Sequence, residues 1–94
     1  MAEIFFDWDP GKASKNLSNH RVAFDEAKTV FDDPMFITVL DEEHSIDEER
    51  YITIGLSNKG RLLMVAHTGK NGRIRIISAR KATRKEEGFY AEAN

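Results

Sequence analysis

Six basic side chains crowd one short stretch of the sequence: Arg73, Arg75, Arg80, Lys81, Arg84 and Lys85. Cations at this density bind phosphates, arginine through a two-pronged fork and lysine as a point charge. Strict alternation along an extended chain puts Ile74, Ile76, Ser78 and Arg80 on one side, and Arg73, Arg75, Ile77 and Ala79 on the other. In the helical stretch that follows, Lys81, Arg84 and Lys85 fall at i, i+3 and i+4 and share a face. Arg61 opens the preceding strand, and hairpin pairing is expected to bring it toward Arg80. The plainer reading of the helical cations is a solvated face paired with Glu86 and Glu87.

Other residues offer less specific chemistry. His67 lies late in an apolar strand; an imidazole titrating near neutrality can move protons, but a lone strand histidine also serves as a hydrogen-bonded core residue. Lys12, Asn16 and His20, spaced by four, form a polar stripe that reaches RNA or a partner, or simply caps and solvates a helix. His44 and Ser45 sit among Asp47, Glu48 and Glu49. Adjacent Ser and His rarely form a nucleophilic pair, so a turn with a Ser45–Glu48 capping contact is the better expectation. Trp8 reads as a core residue or a partner anchor. No glycine-rich phosphate loop or dinucleotide fingerprint is present.

With no cysteine, the chain has neither disulfides nor thiolate chemistry nor a cysteine-based zinc site. The start, Met1-Ala2-Glu3-Ile4, lacks the apolar run of a signal peptide, and no stretch reaches the roughly 20 apolar residues of a membrane span. A cytoplasmic location and no membrane partner are the expectation. The net charge of −2 conceals an asymmetry: residues 1–49 hold 13 acidic and 4 basic side chains, residues 50–94 hold 3 and 10. Either the halves neutralise each other across the fold, or one face is basic and addresses a polyanion.

The elements that must position these groups are short, and 94 residues make one domain, 1–94. Ile4-Phe5-Phe6 reads as a short edge strand. Asp9-Pro10 is a helix start, with Asp as cap and Pro at the first helical position, and Asn19-His20-Arg21 ends that helix. Phe24, Ala27 and Phe31 space a second helix, stopped by Asp32-Asp33-Pro34. The period then switches to two. Strands are expected at 36–40, 51–56, 62–68 and 74–79, the third covered on both faces. Ser57-Asn58-Lys59-Gly60 and Gly69-Lys70-Asn71-Gly72 supply hairpin turns. Residues 82–93 form a last helix. The expected fold class is α+β: two short helices, a four-stranded antiparallel sheet and a C-terminal helix.

Over nearly its whole length the sequence resembles the BrnT family. The likeness lies in Asp7-Trp8-Asp9 with Lys12 and Asn16, in His20, Val22 and Phe24 with Glu26-Ala27, and in Asp41 with His44-Ser45 and Glu49-Arg50. It continues through Gly55 and Gly60-Arg61 to its most specific segment, Ile74 to Thr83, with Glu86 and Tyr90. Arg21 stands where the family commonly has a small residue, and Ala23 where it has a helix-capping one.

This resemblance implies a RelE-like α+β ribonuclease toxin of a type II toxin–antitoxin pair that cuts RNA, blocks translation and is neutralised by a BrnA-like antitoxin. Operator DNA is then reached only through the antitoxin; the basic half itself shows no helix-turn-helix pattern. Cleavage is expected to use the 2′-hydroxyl of the RNA, with no metal and no cofactor. Arg61 and Arg80 stabilise the transition state, and His67 or Glu86 moves the proton. Lys59, Arg73, Lys81, Arg84 and Lys85 hold the RNA backbone, and Lys12, Asn16 and His20 contact RNA or the partner. The alternative is a catalytically inactive homologue that keeps only the antitoxin-binding and co-repressor role.

Overall fold

The computed structural model describes residues 4–94, apart from the Lys70 side chain; residues 1–3, read above as lacking a signal peptide, lie outside the described residues. The element order is β1 (Phe5–Asp7), α1 (Pro10–His20), α2 (Phe24–Ala27), a 3-10 turn (Lys28–Asp32), β2 (Ile37–Leu40), a second 3-10 turn (Glu42–His44), β3 (Arg50–Leu56), β4 (Leu62–Lys70), β5 (Arg73–Lys81) and α3 (Arg84–Ala93). The sheet has five strands, in the order β1-β5-β4-β3-β2. The expected antiparallel four are present. The fifth is β1, which pairs parallel with the start of β5, Phe6 opposite Ile74.

Local chemistry explains the elements. The Asp9 side chain accepts from the Lys12 amide, and Pro10 needs no donor there. α1 ends at His20, and Arg21 takes a left-handed conformation, φ 59°. The second helix is shorter than its spacing suggests. It is α-helical only to Ala27 and then tightens to 3-10 geometry. Ala23 at its N-cap makes no side-chain cap, so the segment begins with orphan amides. Asn71 and Gly72 both have positive φ, as the β4–β5 turn demands. α3 opens on a capping box in which Thr83 and Glu86 each hold the other's amide.

One sheet face carries the core. Val22, Phe24, Ala27 and Val30 pack onto Leu63, Val65, Ile76 and Ala79, with Phe6, Trp8 and Phe31 at the margin. Gly55 lets this layer close: a Cβ there would lie 2.7 Å from Val30 Cγ1. The other face is only partly covered, by α3, none of whose residues is buried. The Tyr90 hydroxyl donates to Asp33 (2.6 Å) and the Asn94 amide to the Met35 carbonyl (3.0 Å), fastening the far end of α3.

Candidate functional site

β5 decides which arginines meet. Its pairing with β4 runs Ala79 opposite Val65 and Ser78 opposite Ala66, then jumps to Ile76 opposite His67. Ile77 is the extra residue of a β-bulge, and the alternation changes phase across it. Ile76 and Ala79, three apart, therefore both enter the core. Arg75 and Arg80, assigned to opposite sides by strict alternation, share the open face. Arg50 joins them, because it lies opposite Thr68, which lies opposite Arg75. The open face thus has a row of Arg50, Thr68 and Arg75 at one end and Arg80 with α3 at the other. Half-exposed Ile52, Ala66 and Ser78 lie between.

At the α3 end, Arg80 and Glu86 form a two-pronged pair, Nη1 to Oε1 at 2.8 Å and Nη2 to Oε2 at 3.0 Å. Arg80 Nη1 also donates to the Lys81 carbonyl. The Thr83 amide donates to Glu86 Oε1 at 2.8 Å. The Arg80 guanidinium, aided by Thr83, holds the Glu86 carboxyl below its usual range against the opposing effect of burial. Glu86 is therefore ionised at neutral pH, and while Arg80 and Thr83 hold both its oxygens it is a weaker base than a free glutamate. The Arg80 side chain keeps 35% of its surface open. A planar cation beside an ionised carboxylate on an open face can bind a phosphate and take a proton from a neighbouring hydroxyl.

The other expected site residues divide. Arg61 does not converge with Arg80. It lies on the core side, where its guanidinium grips both oxygens of Glu26 and donates to the Arg21 carbonyl at 3.1 Å. The Glu26 carboxylate also accepts from Ser57 (2.7 Å), and the Arg61 bond is the main cause of its lowered pKa. Hairpin pairing does not bring Arg61 to Arg80 because Arg61 shares the core face with Leu63, whereas Arg80, opposite Met64, lies on the other face.

His67 is likewise on the core face, buried, with Nε2 2.7 Å from the Thr53 hydroxyl, its ring edge-on to Phe31 and stacked on Tyr51. Burial pushes its pKa down to about 4, against a small opposing effect of the Thr68 backbone. A neutral imidazole on the face away from Arg80 and Glu86 cannot serve them.

Asn16 is buried rather than offered to a partner. Its amide donates to the carbonyls of Val22 (2.8 Å) and Ala79 (2.9 Å), and its oxygen accepts from the Ala79 amide (3.0 Å). The side chain thus completes the edge of β5 beyond the reach of β1. Lys12 and His20 are exposed, lining with Lys15 and Asn19 a shallow groove beside Ile77 and Ser78. Lys59, Arg73, Lys81, Arg84 and Lys85 are all exposed. Arg73 and Arg75 both reach Asp7, at 3.6 and 3.3 Å. Lys85 lies 5.9 Å from the Phe89 ring centre. Ser45 does not contact Glu48; its hydroxyl donates to the Asp41 carbonyl (2.6 Å) and accepts from the Arg50 amide (2.9 Å), tying the base of the acidic loop.

Sequence reasoning missed Arg50 and undervalued Arg75. The Glu49-Arg50 pair stood among the family-like residues, which was the available signal. Among the described residues, no group of three or more His, Cys, Asp or Glu side chains is placed to hold a metal ion. No helix there is long and apolar enough to cross a membrane.

Comparison with known families matches residues 8–86 to the family described as "Ribonuclease toxin, BrnT, of type II toxin-antitoxin system". Among solved structures, the chain is similar to the crystal structure of the Brucella abortus ribonuclease toxin BrnT, with a TM-score of 0.63 at 18% identity. That similarity covers 87% of this chain and 100% of the Brucella chain. A comparison with curated proteins finds no match.

Proposed function

The chain belongs to the BrnT family of ribonuclease toxins of type II toxin–antitoxin systems, and from that premise we propose that it cuts RNA on the open sheet face beside α3. The observation that carries this reading is the two-pronged Arg80–Glu86 pair beside α3 on the partly covered face, with the Arg80 side chain 35% exposed. Glu86 accepts the proton of an RNA 2′-hydroxyl, whose oxygen attacks the adjacent phosphorus. The bond to the 5′-oxygen breaks, and that oxygen takes a proton from water. Arg80 stabilises the extra negative charge on the phosphoryl oxygens as it develops. Arg75 and Arg50 hold a flanking phosphate, with Arg73, Lys81, Arg84 and Lys85 around the rim and Lys59 farther out. Arg61 and His67 act through stability alone. Cleavage uses no metal or cofactor, arrests translation in the cytoplasm, and is silenced by a BrnA-like antitoxin that also links the pair to operator DNA.

Induced alone, the wild-type chain is expected to arrest growth, and the purified protein to cut RNA in the presence of a chelator. Arg80→Ala is expected to lower cleavage by roughly a hundredfold or more, the cost of losing one preorganised donor, with only a modest fall in thermal midpoint from loss of the partly exposed pair with Glu86. A folded Arg80→Ala protein that still cleaves and arrests growth overturns the assignment.

A second reading has its own support. Arg61 is committed to Glu26 and His67 to the core, which favours a homologue confined to antitoxin binding. It predicts a well-folded wild-type chain that neither cleaves RNA nor slows growth.

A further inference from the structure

We infer that the outer edge of β2 is a docking strand, and that its occupant is an extended, apolar segment of the antitoxin flanked by basic residues. This rests on reading the chain as one half of a toxin–antitoxin pair. β2 is the last strand of the sheet and pairs only with β3 among the described residues. The Asp41 amide donates to the Arg50 carbonyl at 2.8 Å, which sets the alternation. Val39, opposite Ile52, turns its backbone groups inward; Thr38 and Leu40 turn theirs outward, toward solvent.

Sheet edges are commonly guarded by charge, proline or a bulge. This one is not: residues 35–40, Met-Phe-Ile-Thr-Val-Leu, carry no charge, and Met35, Phe36, Val39 and Leu40 are each at least 41% exposed. An edge so composed adds a strand readily.

Charge selects the occupant. Asp32 and Asp33 precede the strand, and the loop from Asp41 to Glu49 contains six acidic residues and no Lys or Arg. A second copy of this chain is disfavoured in either direction. Antiparallel pairing sets Asp41 against the Asp32–Asp33 end, and parallel pairing sets each acidic end against its like. A foreign strand with Lys or Arg at both ends gains attraction at both. The same brackets therefore prevent self-association and admit a basic-ended partner.

The test uses the full chain and the antitoxin encoded beside it, titrated against each other calorimetrically. Leu40→Pro removes one outward N–H and no β2–β3 hydrogen bond. The double variant Glu42→Lys, Glu43→Lys reverses charge in an exposed turn and leaves the strand intact. Each is expected to weaken the complex by at least about tenfold while RNA cleavage by the free chain stays at the wild-type level. The Thr38 and Leu40 amides, fast to exchange in the free chain, become protected in the complex. If the antitoxin binds wild type and both variants equally, or those amides stay fast, the edge assignment is overturned and the toxin–antitoxin reading stands. If wild type does not bind the antitoxin at all, both fall.

Discussion

Arg61 and Arg80 each hold a glutamate in a two-pronged pair, Arg61 with Glu26 on the core side and Arg80 with Glu86 on the open face. Arg80 and Glu86 were legible because a strand end and a helix start are separated by only a few residues. Arg61 and His67 were not, since their roles depend on which face of a strand they occupy. The Arg61–Glu26 pair predicts a stability effect instead of a catalytic one. Arg61→Ala leaves the buried Glu26 carboxylate without its cation, and breaking such a pair costs about 3 kcal/mol. Thermal unfolding should show a fall in midpoint of well over 10 °C, with the residual activity of the folded fraction unchanged.

His67 makes a separate prediction about pH. Its ordinary value is 6.5 and its folded value about 4. Between these, the unfolded chain binds a proton that the folded chain refuses. Stability is therefore retained above pH 6.5 and lost as pH falls toward 4, by about 3 kcal/mol in all. Below that, Glu26 and Glu86, whose carboxyls are held under their ordinary 4.5, withdraw their contributions as they protonate. Denaturant titrations of His67→Asn should show a flatter slope between pH 6.5 and 4 than wild type, whatever the change in absolute stability.

At the scale of elements, the sheet and its turns were readable from period-two patterning and Asn71-Gly72, and α1 from Asp9-Pro10. Two features were not. β1 is three residues long, and its parallel partner lies at the other end of the sequence, so no local pattern encodes the pairing. The bulge at Ile77 lies in an isoleucine-rich run, Ile74-Arg75-Ile76-Ile77, that reads as a regular strand. It is the bulge that places Arg75 with Arg80, so the phosphate-binding face depends on an irregularity that composition does not signal. The start of α2 offers a simple test of element chemistry. Ala23 has the extended backbone of an N-cap, φ −78° and ψ 146°, but no side-chain acceptor. Ala23→Ser supplies one and should stabilise the fold by about 1 kcal/mol, visible as a rise in thermal midpoint of about 4–8 °C.

Over the whole molecule, the opposition between an acidic first half and a basic second half is partly neutralised inside the fold, through Glu26 with Arg61 and Asp7 with Arg73 and Arg75. What remains is only partly separated: Lys81, Arg84 and Lys85 are exposed at the start of α3, whereas Glu48 of the Asp41–Glu49 loop lines the same cleft as Arg73 and Arg75. If Arg80 holds the reacting phosphate and Arg50 with Arg75 the flanking one, the logarithm of single-stranded RNA affinity should fall with the logarithm of salt at a slope of about −1.4. A slope near zero would remove the basic face from the account of binding. The Asn16 clamp has a consequence in time as well as in space. The Asn16 side chain, inside α1, is satisfied by the backbone of Ala79, 63 positions later. At a synthesis rate of about 5–20 residues per second, that interval is roughly 3–13 s. Throughout it, α1 has emerged without the strand that holds it. The first half of the protein waits, unanchored, for the residues that also deliver Arg80. The anchoring of α1 and the arrival of the candidate catalytic arginine are thus a single late event in the making of the chain.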